Sequence, residues 1–142
     1  MSDVYLSRKI YFSCAHRYHN PNWSDRKNQE VFGPCNNPHG HGHNYELEVT
    51  LKGEVDPHTG MVMNLSDLDA ILQDKIMKPL DHRHLNHEVP YFTEIIPTTE
   101  EIAIYCWKEI AASLKKPIRL YSVRLYENPE LYVDYYGEEL DT

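Results

Sequence analysis

The sequence predicts an α+β fold, a four-stranded antiparallel sheet with two helices on one face, with elements in the order ββααββ. Three observations carry this. Period-two alternation marks two segments near the start of the chain and two near its end. Helical spacing with N-terminal capping residues marks two segments between them. The length, 142 residues, suffices for one domain with its own core and is too short for two ordinary ones, so a single domain over residues 1–142 is expected.

The first strand spans Val4 to Cys14, with Leu6, Ile10, Phe12 and Cys14 on one face and Tyr5, Ser7, Lys9 and Tyr11 on the other. From Tyr45 to Val55 the alternation is cleaner: Tyr45, Leu47, Val49 and Leu51 against Glu46, Glu48, Thr50 and Lys52, a strand with one wet face. Asp56-Pro57-His58-Thr59-Gly60 has the residues of a tight turn, and Met61-Val62-Met63 is expected to be a short extended piece. Ser66 is the expected N-cap of a helix whose apolar face is Leu68, Ile71, Leu72 and Ile76, with Pro79 closing it. Thr98 and Glu101 have capping-box spacing ahead of a second helix, which Pro117 stops. This helix is apolar over so much of its circumference that it must be covered on two sides. Ile118 to Glu127 and Leu131 to Tyr136 complete the set as strands.

A formal charge of −8 argues against nucleic acid as a partner, since proteins that grip a phosphate backbone present a basic face. No apolar run approaches membrane-spanning length, and the N-terminus lacks a signal peptide's basic start and apolar stretch, so a cytoplasmic protein is expected. Three widely spread cysteines do not make a disulfide framework, and Cys14 and Cys106 read as small buried hydrophobes. Eleven tyrosines and an uncovered sheet face point to association between chains.

The chemistry concentrates in Cys35-Asn36-Asn37-Pro38-His39-Gly40-His41-Gly42-His43. A thiol ahead of alternating histidines suggests a metal site, with neutral imidazoles as zinc ligands and the thiol as a base or nucleophile activated by the cation. Residues two apart on an extended chain point the same way, so His41 and His43 present both rings together. If the first two strands pair antiparallel, His16 completes a three-histidine site, leaving His39 as the spare candidate. The connection from Arg17 to Gly40 is far longer than a hairpin needs and returns Cys35 toward the metal. A second cluster, Leu80-Asp81-His82-Arg83-His84-Leu85-Asn86-His87, reads equally well as an acid–histidine proton-transfer pair or as the histidine-rich end of a helix.

An ordered series of motifs resembles the 6-pyruvoyl tetrahydropterin synthase family over nearly the whole chain. The matching stretches are Phe12-Ser13 through His16-Arg17, Phe32-Gly33-Pro34-Cys35-Asn36-Asn37-Pro38, Gly40-His41-Gly42-His43-Asn44-Tyr45, and Thr59-Gly60-Met61-Val62-Met63-Asn64-Leu65 after Asp56-Pro57. Met77-Lys78-Pro79-Leu80-Asp81-His82, Val89-Pro90-Tyr91-Phe92, Thr98-Thr99-Glu100 and Tyr126-Glu127 continue it. The resemblance implies the tunnelling fold, in which three subunits join their sheets into a barrel and two trimers stack as a homohexamer. It implies zinc-dependent conversion of 7,8-dihydroneopterin triphosphate to 6-pyruvoyl tetrahydropterin, with loss of triphosphate, in tetrahydrobiopterin biosynthesis.

On the same resemblance, His16, His41 and His43 would bind Zn2+, Cys35 would take the side-chain proton, and Asp81 and His82 would relay protons. Glu127 would anchor the guanidine-like edge of the pterin, and Thr98, Thr99 and Glu100 would line its pocket. The family also contains 6-carboxy-tetrahydropterin synthases of the queuosine pathway, whose thiol sits closer to the histidine pair. The five residues between Cys35 and His41 match the pyruvoyl type, while His39-Gly40-His41 follows Cys35 at the carboxy-type distance. A non-catalytic zinc- or pterin-binding module is the reading from a different class. Arg8, Lys9, Arg17, Arg26, Lys27 and Arg83 are all available to a triphosphate, without a phosphate-loop pattern.

Overall fold

Alternating apolar and polar side chains place β1 (Val4–His16) and β2 (His41–Gly53) in one antiparallel ladder, in which Val4 faces Gly53 and His16 faces His41. This computed structural model describes residues 2–138; the ends of the domain expected over 1–142, Met1 and residues 139–142, lie outside the described residues. A two-residue strand, β3 (Arg83–His84), runs parallel to β1 beside Cys14 and Ala15. β4 (Arg119–Asn128) pairs with β2, and β5 (Leu131–Tyr135) with β4, both antiparallel. The described residues therefore form a five-stranded mixed sheet in the order β3-β1-β2-β4-β5, not the four-stranded antiparallel sheet expected. The extra strand is too short to alternate, and its parallel partner is remote in sequence, so neither signal was available.

The long connection between β1 and β2 contains a helix that periodicity missed, α1 (Asp25–Phe32), capped by Ser24, whose hydroxyl accepts from Lys27 N–H at 3.1 Å. Only Asn28 of α1 is buried, so there is no apolar stripe to read. α2 (Leu65–Leu72) is capped by Asn64 rather than Ser66: the Asn64 side chain accepts from Ser66 N–H at 2.9 Å. Pro79 does not end this helix. A π turn over Gln73–Met77 leads into α3 (Lys78–Leu80), and the chain leaves at Asp81, whose N–H still reaches Met77 O at 2.8 Å. Met61-Val62-Met63 forms no strand. α4 (Leu85–Glu88) follows β3, and α5 (Thr99–Ala111) starts at the expected cap, Thr98, but stops well before Pro117.

The core lies between one sheet face and the helices. Phe12, Cys14, Tyr45, Leu47, Val49, Leu51, Val123 and Leu125 meet Leu68, Leu72 and Ile76 and, from α5, Ile102, Ala103, Cys106 and Ile110. Each such leucine contributes about 1.5–3 kcal/mol by leaving water, which holds the strands rigidly where they carry the site. The opposite face is polar, with Ser7 to Thr50 at 2.7 Å, Lys9 to Glu46 at 3.3 Å and Arg124 to Asp134 at 2.7 Å. Tyr5, Tyr11, Tyr121 and Tyr132 are exposed. No helix among the described residues is long and apolar enough to cross a membrane.

Candidate active site

Strand register assembles the histidines. Phe12 faces Tyr45, Cys14 faces His43 and His16 faces His41, so alternation puts all of these on the helix-covered face. β1 runs two residues past its expected end and β2 starts four before its expected start, which brings all three histidines into regular strand. The chain enters β2 at Gly40, whose φ of +74° and contacts admit only glycine: a Cβ there would lie 2.8 Å from His16 O and 2.9 Å from His84 Nε2.

One nitrogen from each of His16, His41 and His43 lies within 4.8 Å of the others. His16 is fully buried, and its Nδ1 lies 2.8 Å from the Pro97 carbonyl. A carbonyl only accepts, so Nδ1 carries the proton and Nε2 presents a bare lone pair. That lone pair points at His41 Nε2, 3.1 Å away. His43 Nε2 is buried without a hydrogen-bond partner. Burial, the main cause, opposed by the Pro97 bond and reinforced by the neighbouring imidazoles, pushes His16 down to about 4. Burial also lowers His43, against the pull of Glu127. Three converging imidazole nitrogens, two of them on histidines whose burial disfavours the cation, fit a divalent metal. His39, the spare candidate, is exposed outside the strand, its N–H bonded to Asn37 Oδ1 at 3.1 Å. The triplet on the triad face is therefore His41-Gly42-His43, with five residues between it and Cys35.

Glu127 joins this cluster. It sits at an irregularity in the β4–β5 pairing and places Oε1 3.5 Å from His43 Nε2. The Thr99 hydroxyl, at the buried start of α5, donates to the same oxygen at 3.0 Å. Thr98 caps the helix through Glu101 N–H at 3.1 Å, and Glu100 is exposed in the first turn. Cys35 lies half-buried in a turn over Gly33–Asn36. Burial first, and then the Glu127 charge, raise its thiol above the ordinary value.

Asp81 and His82 do form a pair, with His82 Nδ1 3.0 Å from Asp81 Oδ2. Asp81 Oδ1 accepts from Ser13 N–H at 2.8 Å, and His82 has a φ of +61°, sparsely populated for a residue with a side chain. His82 lines a hollow of about 490 Å³ together with residues of both faces of the β1–β2 ladder, Ser13, Ala15, Gly42 and Asn44 on one and Cys14 and His43 on the other. Among the described residues, neither Asp81 nor His82 hydrogen-bonds to Cys35, Glu127 or the three histidines.

Sequence reasoning did not single out the groups that hold the site together. Tyr18 N–H donates to Cys35 O at 2.9 Å, and the buried Asn36 returns a bond from Nδ2 to Tyr18 O at 2.7 Å. Arg17 Nε donates to Asn36 O at 3.2 Å. The Tyr45 hydroxyl lies 3.3 Å from His16 Nδ1. Tyr45 and Asn36 fell within the quoted motifs, but main-chain partners such as Pro97 O have no signal in a sequence. Of the basic candidates, Arg8, Lys9, Arg26 and Arg83 each pair with a carboxylate of the same chain.

The fold and the site define an α+β protein with a partly buried three-histidine centre suited to a divalent metal. The sequence profile of the 6-pyruvoyl tetrahydropterin synthase family matches residues 5–138. The 6-pyruvoyl tetrahydrobiopterin synthase of Poecilia reticulata is 48% identical over 134 residues, 94% of this chain and 90% of the relative. The Homo sapiens protein of that name is 48% identical over 133 residues, covering 94% and 91%. The solved structure of Caenorhabditis elegans 6-pyruvoyl tetrahydropterin synthase superposes with a TM-score of 0.92 at 40% identity, covering 97% of this chain and 98% of that one. The chain belongs to the 6-pyruvoyl tetrahydropterin synthase family, and so to the lyases of pterin biosynthesis.

Proposed function

We propose that the chain converts 7,8-dihydroneopterin triphosphate to 6-pyruvoyl tetrahydropterin, eliminating triphosphate, with zinc held by His16, His41 and His43. The observation that carries this reading is the convergence of three inward imidazole nitrogens, a carboxylate and a nearby thiol at one end of the sheet. Zinc there would act as a Lewis acid on the substrate's side-chain oxygens, making the neighbouring C–H protons more acidic. Glu127 accepts two N–H donors from the amino edge of the pterin, with Thr99 holding one of its oxygens in place. Thr98 and Glu100 shape the pocket rim from the same helix start. Cys35 removes the side-chain proton. Its thiol is raised in the metal-free chain, so it needs an opposing positive charge to become a thiolate near neutral pH.

Asp81 and His82 serve as the proton relay, and the outward-facing His82 imidazole suits a site completed by another copy of the chain. The tyrosine-bearing polar face, and the edge of β1 left open where β3 covers only Cys14 and Ala15, support assembly as a dimer of trimers. Incubating zinc-loaded protein with dihydroneopterin triphosphate and analysing products by mass tests the reading. Pyruvoyl product with triphosphate supports it, carboxy product with acetaldehyde replaces it with the queuosine-type reaction, and no turnover leaves a binding module.

A further inference from the structure

The pairing of β1 with β2 ends at His16, yet the next four residues keep strand-like bonding, supplied by three asparagines from three separate segments. Asn86, in α4, takes Arg17: the Arg17 N–H donates to Asn86 Oδ1 at 2.8 Å, and Asn86 Nδ2 donates to Arg17 O at 2.9 Å. Asn36, in the Cys35 turn, donates from Nδ2 to Tyr18 O at 2.7 Å and lies 3.0 Å from His19 Nδ1. Asn28, fully buried in α1, takes Asn20, accepting from its N–H at 2.7 Å and donating to its O at 3.0 Å. A carboxamide offers an acceptor and a donor side by side, as a peptide group does, so Asn86 and Asn28 each replace a neighbouring strand residue.

The Cys35 turn hangs on this segment. The Tyr18 N–H donates to Cys35 O at 2.9 Å, and Arg17 Nε donates to Asn36 O at 3.2 Å. Cys35 is thereby tied to the two residues that directly follow His16, a member of the triad. Those bonds place the turn only as accurately as Arg17 and Tyr18 are themselves placed. Arg17 is fixed from outside, because both of its main-chain groups end on the one side chain of Asn86. That side chain has a firm base: β3 pairs with β1 at Cys14 and Ala15, and Leu85, next to Asn86, is fully buried. We propose that Asn86 is a positioning residue for the Cys35 thiol, fixing through Arg17 and Tyr18 where the Cys35 turn stands relative to His16. The inference rests on the reading of Cys35 as the base that takes the substrate proton. A displaced base costs rate and not affinity, and a shift of about 1 Å can cost about 10²-fold.

The test combines turnover with alkylation, both on zinc-loaded full-length protein. At about pH 9.5 an unburied thiol is ionised, so the rate of reaction with iodoacetamide reads access to the half-buried Cys35. Asn86→Ala is expected to be labelled at Cys35 about 10-fold faster than the unaltered protein, the opening that follows loss of one or two neutral hydrogen bonds. Cys14 and Cys106 are buried and become labelled only if the whole fold opens, and peptide mass mapping separates the three. With dihydroneopterin triphosphate, kcat is expected to fall about 10- to 10²-fold, with KM within about twofold and zinc content unchanged. Asn86→Asp keeps the acceptor for the Arg17 N–H and loses the donor. It should give smaller changes of the same sign, and it decides the matter if the alanine variant is labelled at all three cysteines. Unchanged Cys35 labelling, or unchanged kcat with a lower thermal midpoint, makes Asn86 structural only and overturns the proposal. A raised KM with kcat held moves it to substrate binding and overturns the proposal equally. If the unaltered protein does not turn the substrate over, the reading of Cys35 as base fails by itself. Faster labelling of the variant then still upholds the hold of Asn86 on the turn, and unchanged labelling overturns it.

Discussion

The His16–His41–His43 cluster and the Asp81–His82 pair both hang on the same stretch of β1, yet His16 is 0% exposed while the His82 side chain is 83% exposed. The triad is fixed by strand register and by a carbonyl that sets one tautomer, so everything needed to present its lone pairs lies within one chain. The pair is held by main-chain bonds to Ser13, His82 N–H donating to Ser13 O at 2.6 Å, while its imidazole faces outward from a strained backbone. Strain of this sort costs about 1–3 kcal/mol and persists where the surroundings over-determine it. The difference teaches that the candidate metal ligands are brought together within a single copy, while the proposed proton-moving pair presents its imidazole outward.

The sharpest way to break that comparison is to remove one member of the triad and one member of the thiol chemistry. His41→Ala is expected to abolish stoichiometric zinc retention after gel filtration, and turnover with it. Cys35→Ala is expected to abolish turnover and leave zinc content at that of the unaltered protein; unchanged turnover would sink the thiolate assignment.

Next in size is His82→Asn, which keeps a residue tolerant of positive φ and removes only the imidazole. Turnover should fall about 10²- to 10⁴-fold with zinc content and thermal midpoint held. Refolding the inactive Cys35→Ala and His82→Asn chains together should restore part of the activity if sites are shared between copies. Activity no higher than that of either alone would place the pair and the thiol in one chain.

Smaller effects probe how the triad is held. Gly40→Ala forces a side chain into positive φ against the His16 carbonyl and should destabilise the fold by about 1–3 kcal/mol in a urea titration. Acidifying the metal-free protein from pH 7 to pH 5 should cost about 2 kcal/mol from His16 alone. The sign follows from its lowered proton affinity. The unfolded chain takes up a proton below the ordinary value of 6.5 while the native imidazole resists until about 4, so stability falls as pH drops through that window. A urea midpoint that does not move would show that His16 is not desolvated.

Much of this was legible because β-sheet alternation is local. Tyr45, Leu47, Val49 and Leu51 declare their buried face in sequence, and Phe12 and Cys14 declare the partner face. The same alternation extends outward to pair His41 with His43 and oppose them to His16 once antiparallel pairing is assumed. The Thr98 cap was readable for a similar reason, since capping spans only a few residues. α1 was not, because a helix with one buried residue carries no periodic stripe.

The sequence by itself singled out the residues proposed to carry the chemistry: the three histidines, the thiol, the acid–histidine pair and the Glu127 carboxylate, all within the stretch matched by the 6-pyruvoyl tetrahydropterin synthase family. Only the tertiary structure decided which of them meet. Glu127 reaches His43 and Thr99 across elements far apart in the chain, Tyr18 enters the site through bonds to the Cys35 turn, and Asp81 with His82 is tied to the main chain of Ser13 instead of to the triad. The physical reason is that side-chain identity and local periodicity are written along the chain. The meeting of two groups depends on sheet register and main-chain hydrogen bonds between distant segments, which no single segment specifies.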